Sequence, residues 1–250
     1  MKPDLDTQAV KSRLQGLGFA VGEIPESADY PTPDLRLSDS SGDILIEGKA
    51  KTDDQQLRQL LDSPAGTPLP GPASSLRQRI RDAWHQIRYF PGRTGADPAV
   101  VWLVTRKPHG MTVLTALHAL PLLYGTELLE GYDTRDTFYE RPCFFFRSGL
   151  FQHYTDLVAL VLQNDQDLTL CLNSLCPRYA QFRATEFASA FLTHFAVIDP
   201  AQMEAAGTCF ISHEASSPLT TAEKVVHLRS KYGLDTVTLL RFVLLNAPVQ

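Results

Sequence analysis

YPTPDLRLSDSSGDILIEGKAK, residues 30–51, carries two alternating apolar runs on either side of Asp39-Ser40-Ser41-Gly42. Asp at the first and Gly at the fourth position suit a type I turn, so the stretch predicts a β-hairpin. With the hairpin centred between Ser40 and Ser41, Leu35 opposes Ile46 and Leu37 opposes Ile44, which makes one face an apolar surface for a core. Side chains alternate along a strand, so the other face carries Asp34, Arg36, Leu45, Glu47 and Lys49. In this register Asp34 lies across from Glu47, with Cβ atoms about 5 Å apart. Like charges so placed are destabilising unless something sits between them, and a hard divalent cation with oxygen ligands is the usual occupant. Lys49 stands two residues along on the same face, close enough to share a bound anion. The hairpin reads as a metal site.

Pro33-Asp34, followed by Glu47-Gly48-Lys49 on the second of two apolar strands, resembles the motif of the PD-(D/E)xK nuclease superfamily, the restriction-endonuclease-like fold. A bare Glu-x-Lys is common on solvated strand ends. The preceding Pro-Asp, the separation of 13 residues and the matched register give the motif its weight. The resemblance covers residues 1 to about 107. It implies that Asp34, Glu47 and Lys49 are the catalytic residues, that Asp34 and Glu47 hold Mg²⁺ (or Mn²⁺), and that Lys49 positions or activates the attacking water. The backbone carbonyl of Gly48 is a further candidate ligand. Many members place an extra Glu on the first helix. Here that helix offers only Gln8, with Glu23 and Glu26 after it, so the pattern lacks a clean ligand for a second ion. In that family the second helix often sends Gln or Arg toward the site, which singles out Gln78 and Gln86. Arg36, Lys51, Arg77 and Arg81 join them as candidates for contact with nucleic acid.

Outward from the hairpin, residues 5–16 predict a short amphipathic helix with Leu5, Ala9 and Leu14 inward, Asp6 as N-cap and Gly16 as its stop. Residues 19–24 predict a first strand. Residues 53–62 suggest a helical turn or two, and SPAGTPLPGPA (63–73) is too rich in Pro and Gly for regular structure; it is either a lid over the site or a tolerated insertion. Ser75 and Gln78 form a capping box for a helix whose stripe is Leu76, Ile80, Ala83, Trp84, Ile87 and Phe90. Pro91-Gly92 ends it. Residues 99–105 (AVVWLVT) then read as a buried strand after a crossover helix. This is the αβββαβ order of the nuclease core. The fold class expected is α/β with a mixed sheet: residues 1–107 as the nuclease-like core, and residues 108–250 as an α/β or α+β region of unassigned role, separate or continuous with the core.

Beyond residue 107, helices are expected over 111–124 (broken at Pro121), over 182–195, and from a Thr220/Glu223 capping box to Tyr232. Strands are expected over 143–147, 156–163, 168–172 and 236–245. No GxSxG, HExxH or true phosphate-binding loop is present: Ala50 stands where a P-loop needs Ser or Thr.

Composition sets the wider frame. Apolar residues make up 44% and charged residues 20% of the 250-residue chain, ordinary values for a globular protein. No apolar run is long enough to span a bilayer, and the polar start lacks the core of a signal peptide, so a cytoplasmic protein with no membrane partner is expected. Cys143, Cys171, Cys176 and Cys209 lack paired metal-ligand spacing and read as buried free thiols, ahead of zinc binding by Cys209 with His213. The net charge is −5, yet residues 74–108 carry a local +5, which suits phosphate contact at one face.

The function expected is Mg²⁺-dependent hydrolysis of DNA phosphodiester bonds, with restriction, defence and repair all open. The alternative is a nuclease-fold scaffold that binds nucleic acid or a protein without cutting. Partners are DNA and, through the C-terminal region, a second copy or another protein.

Overall fold

The computed structural model describes residues 5–40, 42–52, 74–95, 97–106, 113–164, 167–212 and 220–241. The expectations for the Pro-rich stretch 63–73, for residues 53–62 and for His213 fall outside these residues, as do the side chains of Asp6, Lys51 and Ser75. The protein is α/β with mixed sheets, and it divides into two compact units, Met1–Thr112 with Tyr154–Asp199 and Val113–His153 with Pro200–Gln250.

The hairpin forms as the alternation dictates. Strands β2 (Leu35–Asp39) and β3 (Gly42–Thr52) are antiparallel, with Leu35 opposite Ile46, Leu37 opposite Ile44 and Asp39 opposite Gly42. Gly42 closes the turn at φ 127°, a conformation that suits a residue with no Cβ. Before it come helix α1 (Leu5–Gly16) and strand β1 (Val21–Glu23), which pairs with β2. After it come helix α2 (Ser74–Arg88) and strand β4 (Ala99–Arg106), parallel to β3. Among the described residues the order α1-β1-β2-β3-α2-β4 matches the expected one.

Each face of this sheet has its own cover. On one side Leu35, Leu37, Ile44, Ile46, Val100 and Trp102 join Val10 and Leu14 of α1 in one core. Among the described side chains of α1 the inward positions are Thr7, Val10 and the expected Leu14, so the expected Ala9 is displaced by one residue, and the side chain of Leu5 lies outside the described ones. One residue is about 100° round a helix, enough to leave Ala9 on the flank. On the other side Leu45, Val101 and Leu103 are buried, and α2, which packs on β3 and β4, buries Leu76, Ile80, Ala83 and Ile87 as its stripe predicts.

The sheet does not stop at β4. Strands β5 (Glu127–Asp133) and β6 (Phe138–Phe144) belong to the second unit, and the chain then returns as β7 (Leu157–Asn164), parallel to β4. Strands β8 (Asp167–Leu172) and β9 (Ala196–Ile198) complete a seven-stranded order β1-β2-β3-β4-β7-β8-β9. The boundary expected at residue 107 is therefore corrected. Val100, Val101, Trp102 and Leu103 are fully buried in a sheet whose next strand is β7, and Trp102 Nε1 donates to Gln163 Oε1 on that strand at 2.8 Å. A core cut after β4 would lose this whole edge.

The second unit holds a four-stranded sheet in the order β10 (Phe210–Ile211)-β6-β5-β11 (Leu234–Arg241). Its core includes Leu129, Cys143, Phe145, Phe210 and Leu228. The strand expected over 143–147 ends at Phe144, and Phe146–Ser148 forms a 3₁₀ turn. Tyr124 explains the break: its ring meets Phe144, Phe146 and Phe151 at 5.2, 5.6 and 5.0 Å, a cluster a straight strand could not wrap. The Thr220/Glu223 capping box is present with both of its bonds, and the helix it opens (Thr221–Tyr232) stops at Gly233 with φ 67°. All four cysteines are buried free thiols, with burial pushing Cys209 up to about 12. No helix among the described residues is long and apolar enough to cross a membrane.

Candidate metal centre

Asp34 stands one residue before β2, where the β2–β3 ladder has just ended. Side chains carry the pairing on from there. The Asp34 N–H donates to Glu47 Oε2 at 3.0 Å, and the Gly48 N–H donates to Asp34 Oδ2 at 2.9 Å. Lys49, two residues beyond Glu47 on the same face, donates its ammonium to Glu47 Oε1. A Cβ on Gly48 would lie 3.3 Å from Asp34 Oδ2 and 3.5 Å from a methyl of Val10. A glycine here lets the Asp34 carboxylate settle against the β3 backbone.

The three residues differ in exposure. Glu47 is fully buried, Asp34 is half-buried and the Lys49 side chain is 25% exposed. The register keeps Glu47 on the face opposite Leu35, Leu37, Ile44 and Ile46, as the sequence put it, but the carboxyl is fully buried there, on a strand against which α2 packs. Burial pushes the Glu47 carboxyl up, the negative charge of Asp34 adds to the effect, and the nearby Lys49 ammonium and the Asp34 amide oppose it. Burial wins, and the pKa stands at about 8. Below that value the Lys49 contact is a charged donor on a neutral acid; above it, an ion pair.

A carboxylate oxygen accepts from more than one direction, so an amide bond to it leaves room for a cation. The donors are hard oxygens, and a cation beside the enclosed Glu47 would favour its charged form against the burial that raises its pKa. The residues present therefore fit Mg²⁺ or Mn²⁺. Among the described residues no group of three or more His, Cys, Asp or Glu side chains is set for a metal. Two carboxylates suffice for an ion that ordinarily keeps several waters.

The other residues singled out by sequence are distributed unevenly. Gln86 Nε2 donates to the carbonyl of Thr32 at 3.3 Å, which ties α2 to the segment leading into Asp34. Gln78 is exposed and donates to Asp82 of its own helix at 2.6 Å, so its amide is engaged away from the hairpin. Arg36 faces Asp43 across the hairpin at 3.5 Å. Arg77 and Arg81 are exposed on α2. Glu23 accepts from Gln8 at 3.1 Å and Lys11 at 2.5 Å, and its pKa is held low, chiefly by Lys11. It serves α1. Sequence reasoning missed the N–H of Gly48, having weighed only its carbonyl, and the Thr32–Gln86 tether. The glycine between Glu47 and Lys49 was the one visible signal of the first.

No family model, curated protein or solved structure matches the chain.

Proposed function

We propose that the protein is a divalent-metal-dependent deoxyribonuclease, built on a restriction-endonuclease-like core, with Asp34, Glu47 and Lys49 at its centre. The order of α1, the three-stranded meander, α2 and a parallel β4 supports the core. The observation that carries the reading is Glu47: a fully buried carboxyl with a pKa of about 8, bound to the Asp34 amide on one oxygen and the Lys49 ammonium on the other. Burying the charged form of such an acid is costly, and a bound cation offsets that cost.

Asp34 and Glu47 would hold Mg²⁺ or Mn²⁺, which when bound polarises a phosphate oxygen and lowers the pKa of its water. The chain's own residues do the rest. Gly48 N–H and Asp34 N–H hold the two carboxylates in fixed orientation, and the roof of α2 keeps bulk water from Glu47. The Lys49 ammonium, at the open side, offsets negative charge that develops on the phosphate in the transition state. A cytoplasmic setting, in which buried thiols stay reduced, goes with this reading.

The test is cleavage of linear, circular and branched DNA with Mg²⁺ or Mn²⁺ and with EDTA, by the wild type and Glu47→Gln. The reading expects cutting with metal alone and none by the variant. If no DNA is cut, the scaffold reading takes its place. One observation favours that second reading: the Lys49 ammonium already occupies one Glu47 oxygen from within the chain.

A further inference from the structure

The outer face of α2 carries a pattern that the centre at Glu47 does not explain. Arg77, Arg81, His85 and Arg88 recur at intervals of four, four and three residues, which puts them on one helical face. Tyr89 continues it. Arg77, Arg81, Arg88 and Tyr89 are exposed, Tyr89 at 56%. The one acidic residue of α2, Asp82, lies beside this row and is bonded by Gln78.

The rings along this face form a connected series. Tyr154 stacks on Trp84 at 4.4 Å and 26°, Trp84 meets His85 edge-on at 4.8 Å, and His85 lies nearly parallel to Tyr89 at 5.5 Å and 8°. The Arg88 guanidinium stands 4.6 Å from the Trp84 ring centre and 5.8 Å from that of Tyr89. The inner end is fixed: Trp84 Nε1 donates to Asp156 at 2.6 Å, and Arg93 donates to the same carboxylate at 3.1 Å. At Tyr89 the series is open to solvent. Arg77 and Arg81 are near enough to Tyr154 for their charge to act on its hydroxyl.

A face that needs only to be wet requires charge, with no use for an exposed ring held flat against its neighbour. Oriented aromatic faces beside guanidinium groups are what single-stranded nucleic acid binds: each base offers a π-face to stack and each phosphate a charge to pair. A duplex hides its base faces within its own stack. An acidic peptide would use the arginines but leave Tyr89 without a match.

We infer that the Arg77–Tyr89 face of α2 binds single-stranded DNA, with a base stacked on Tyr89 and the backbone along Arg77, Arg81 and Arg88. The inference rests on the reading of the protein as one that acts on DNA, and it names the form of DNA that is held. From Arg77 to Arg88 the helix rises about 16 Å, room for a few nucleotides.

The test is fluorescence anisotropy of the intact chain in EDTA, with a labelled 20-nucleotide oligothymidine, a duplex of equal length and poly-glutamate, across a salt series. The oligothymidine should bind more tightly than the duplex. Tyr89→Ala should weaken it by roughly tenfold with the salt slope unchanged, and Tyr89→Phe should restore it. Arg81→Gln should lower the salt slope by about one. Equal affinity for the two DNA forms, binding indifferent to Tyr89→Ala, or equal binding of poly-glutamate would each overturn the inference. Binding in EDTA by a protein that never cuts DNA would sink the nuclease reading and leave this one standing; cutting without preferential strand binding would do the reverse.

Discussion

The Asp34 amide donates to Glu47 Oε2 across 3.0 Å, at the position where the Leu35–Ile46 pairing sets the two residues opposite each other. The contact joins an end of a strand to a fully buried acid. Burial, more than this bond, holds the Glu47 carboxyl at a raised pKa, and the negative charge of Asp34 adds to it.

The first consequence is a pH dependence. Glu47 has an ordinary pKa of 4.5 when exposed and about 8 in the fold, so between those values the folded chain binds the extra proton. The stability it contributes is complete below pH 4.5 and is lost as pH rises through 8, at no more than about 1.4 kcal/mol per pH unit. In Glu47→Gln the amide oxygen keeps the Asp34 N–H and Lys49 swings to solvent. Thermal melts without metal should show the wild type losing ground to Glu47→Gln by several degrees between pH 6 and 9. Parallel curves would contradict the raised pKa.

Asp34→Asn separates charge from shape. The amide oxygen can still accept the Gly48 N–H, while Glu47 loses a negative neighbour. At pH 8 the melting temperature without metal should hold or rise slightly, and at pH 5, where Glu47 is protonated, the difference should vanish. A loss greater than about 1 kcal/mol at pH 8 would mean that Asp34 serves the fold rather than an ion.

Gly48 tests the close approach. Ala places a Cβ 3.3 Å from Asp34 Oδ2, which a shift of the carboxylate can absorb. Val adds methyls where Val10 already stands 3.5 Å away. Urea unfolding should find Gly48→Ala near wild type and Gly48→Val destabilised by about 1–3 kcal/mol. Equal effects would show that the site has slack.

The hairpin was legible because strand alternation has period two and a one-residue slip would turn Leu35, Leu37, Ile44 and Ile46 away from α1. The same pattern put Asp34 opposite Glu47. The burial of Glu47 was not legible, since it depends on where a crossover helix lands. Nor was the partner of β4: AVVWLVT announces a strand covered on both faces but says nothing of which strand lies beside it. Strand β5 escaped notice, and β6 was expected only at its end, because ELLEGYD and FYERPCF alternate poorly. Gly131, where a Cβ would fall 2.2 Å from the Thr236 carbonyl, marks the close approach of β11 only once the sheet is seen.

The β4–β7 pairing makes a prediction about truncation. Residues 1–107 alone would bare the β4 edge from Ala99 to Thr105 and leave Trp102 without the Gln163 oxygen. That fragment should be insoluble on expression, where the full chain is not. A soluble, cooperatively melting fragment would show that the first four strands stand alone.

Calorimetric titration with Mn²⁺ at pH 7.5 tests the central claim most directly. The wild type should bind the ion with release of protons from Glu47, Glu47→Gln should give no binding heat, and Lys49→Ala should bind at least as well as the wild type while failing to cut DNA. Absence of heat with the wild type, or an undiminished signal from Glu47→Gln, would contradict a metal centre at Asp34 and Glu47.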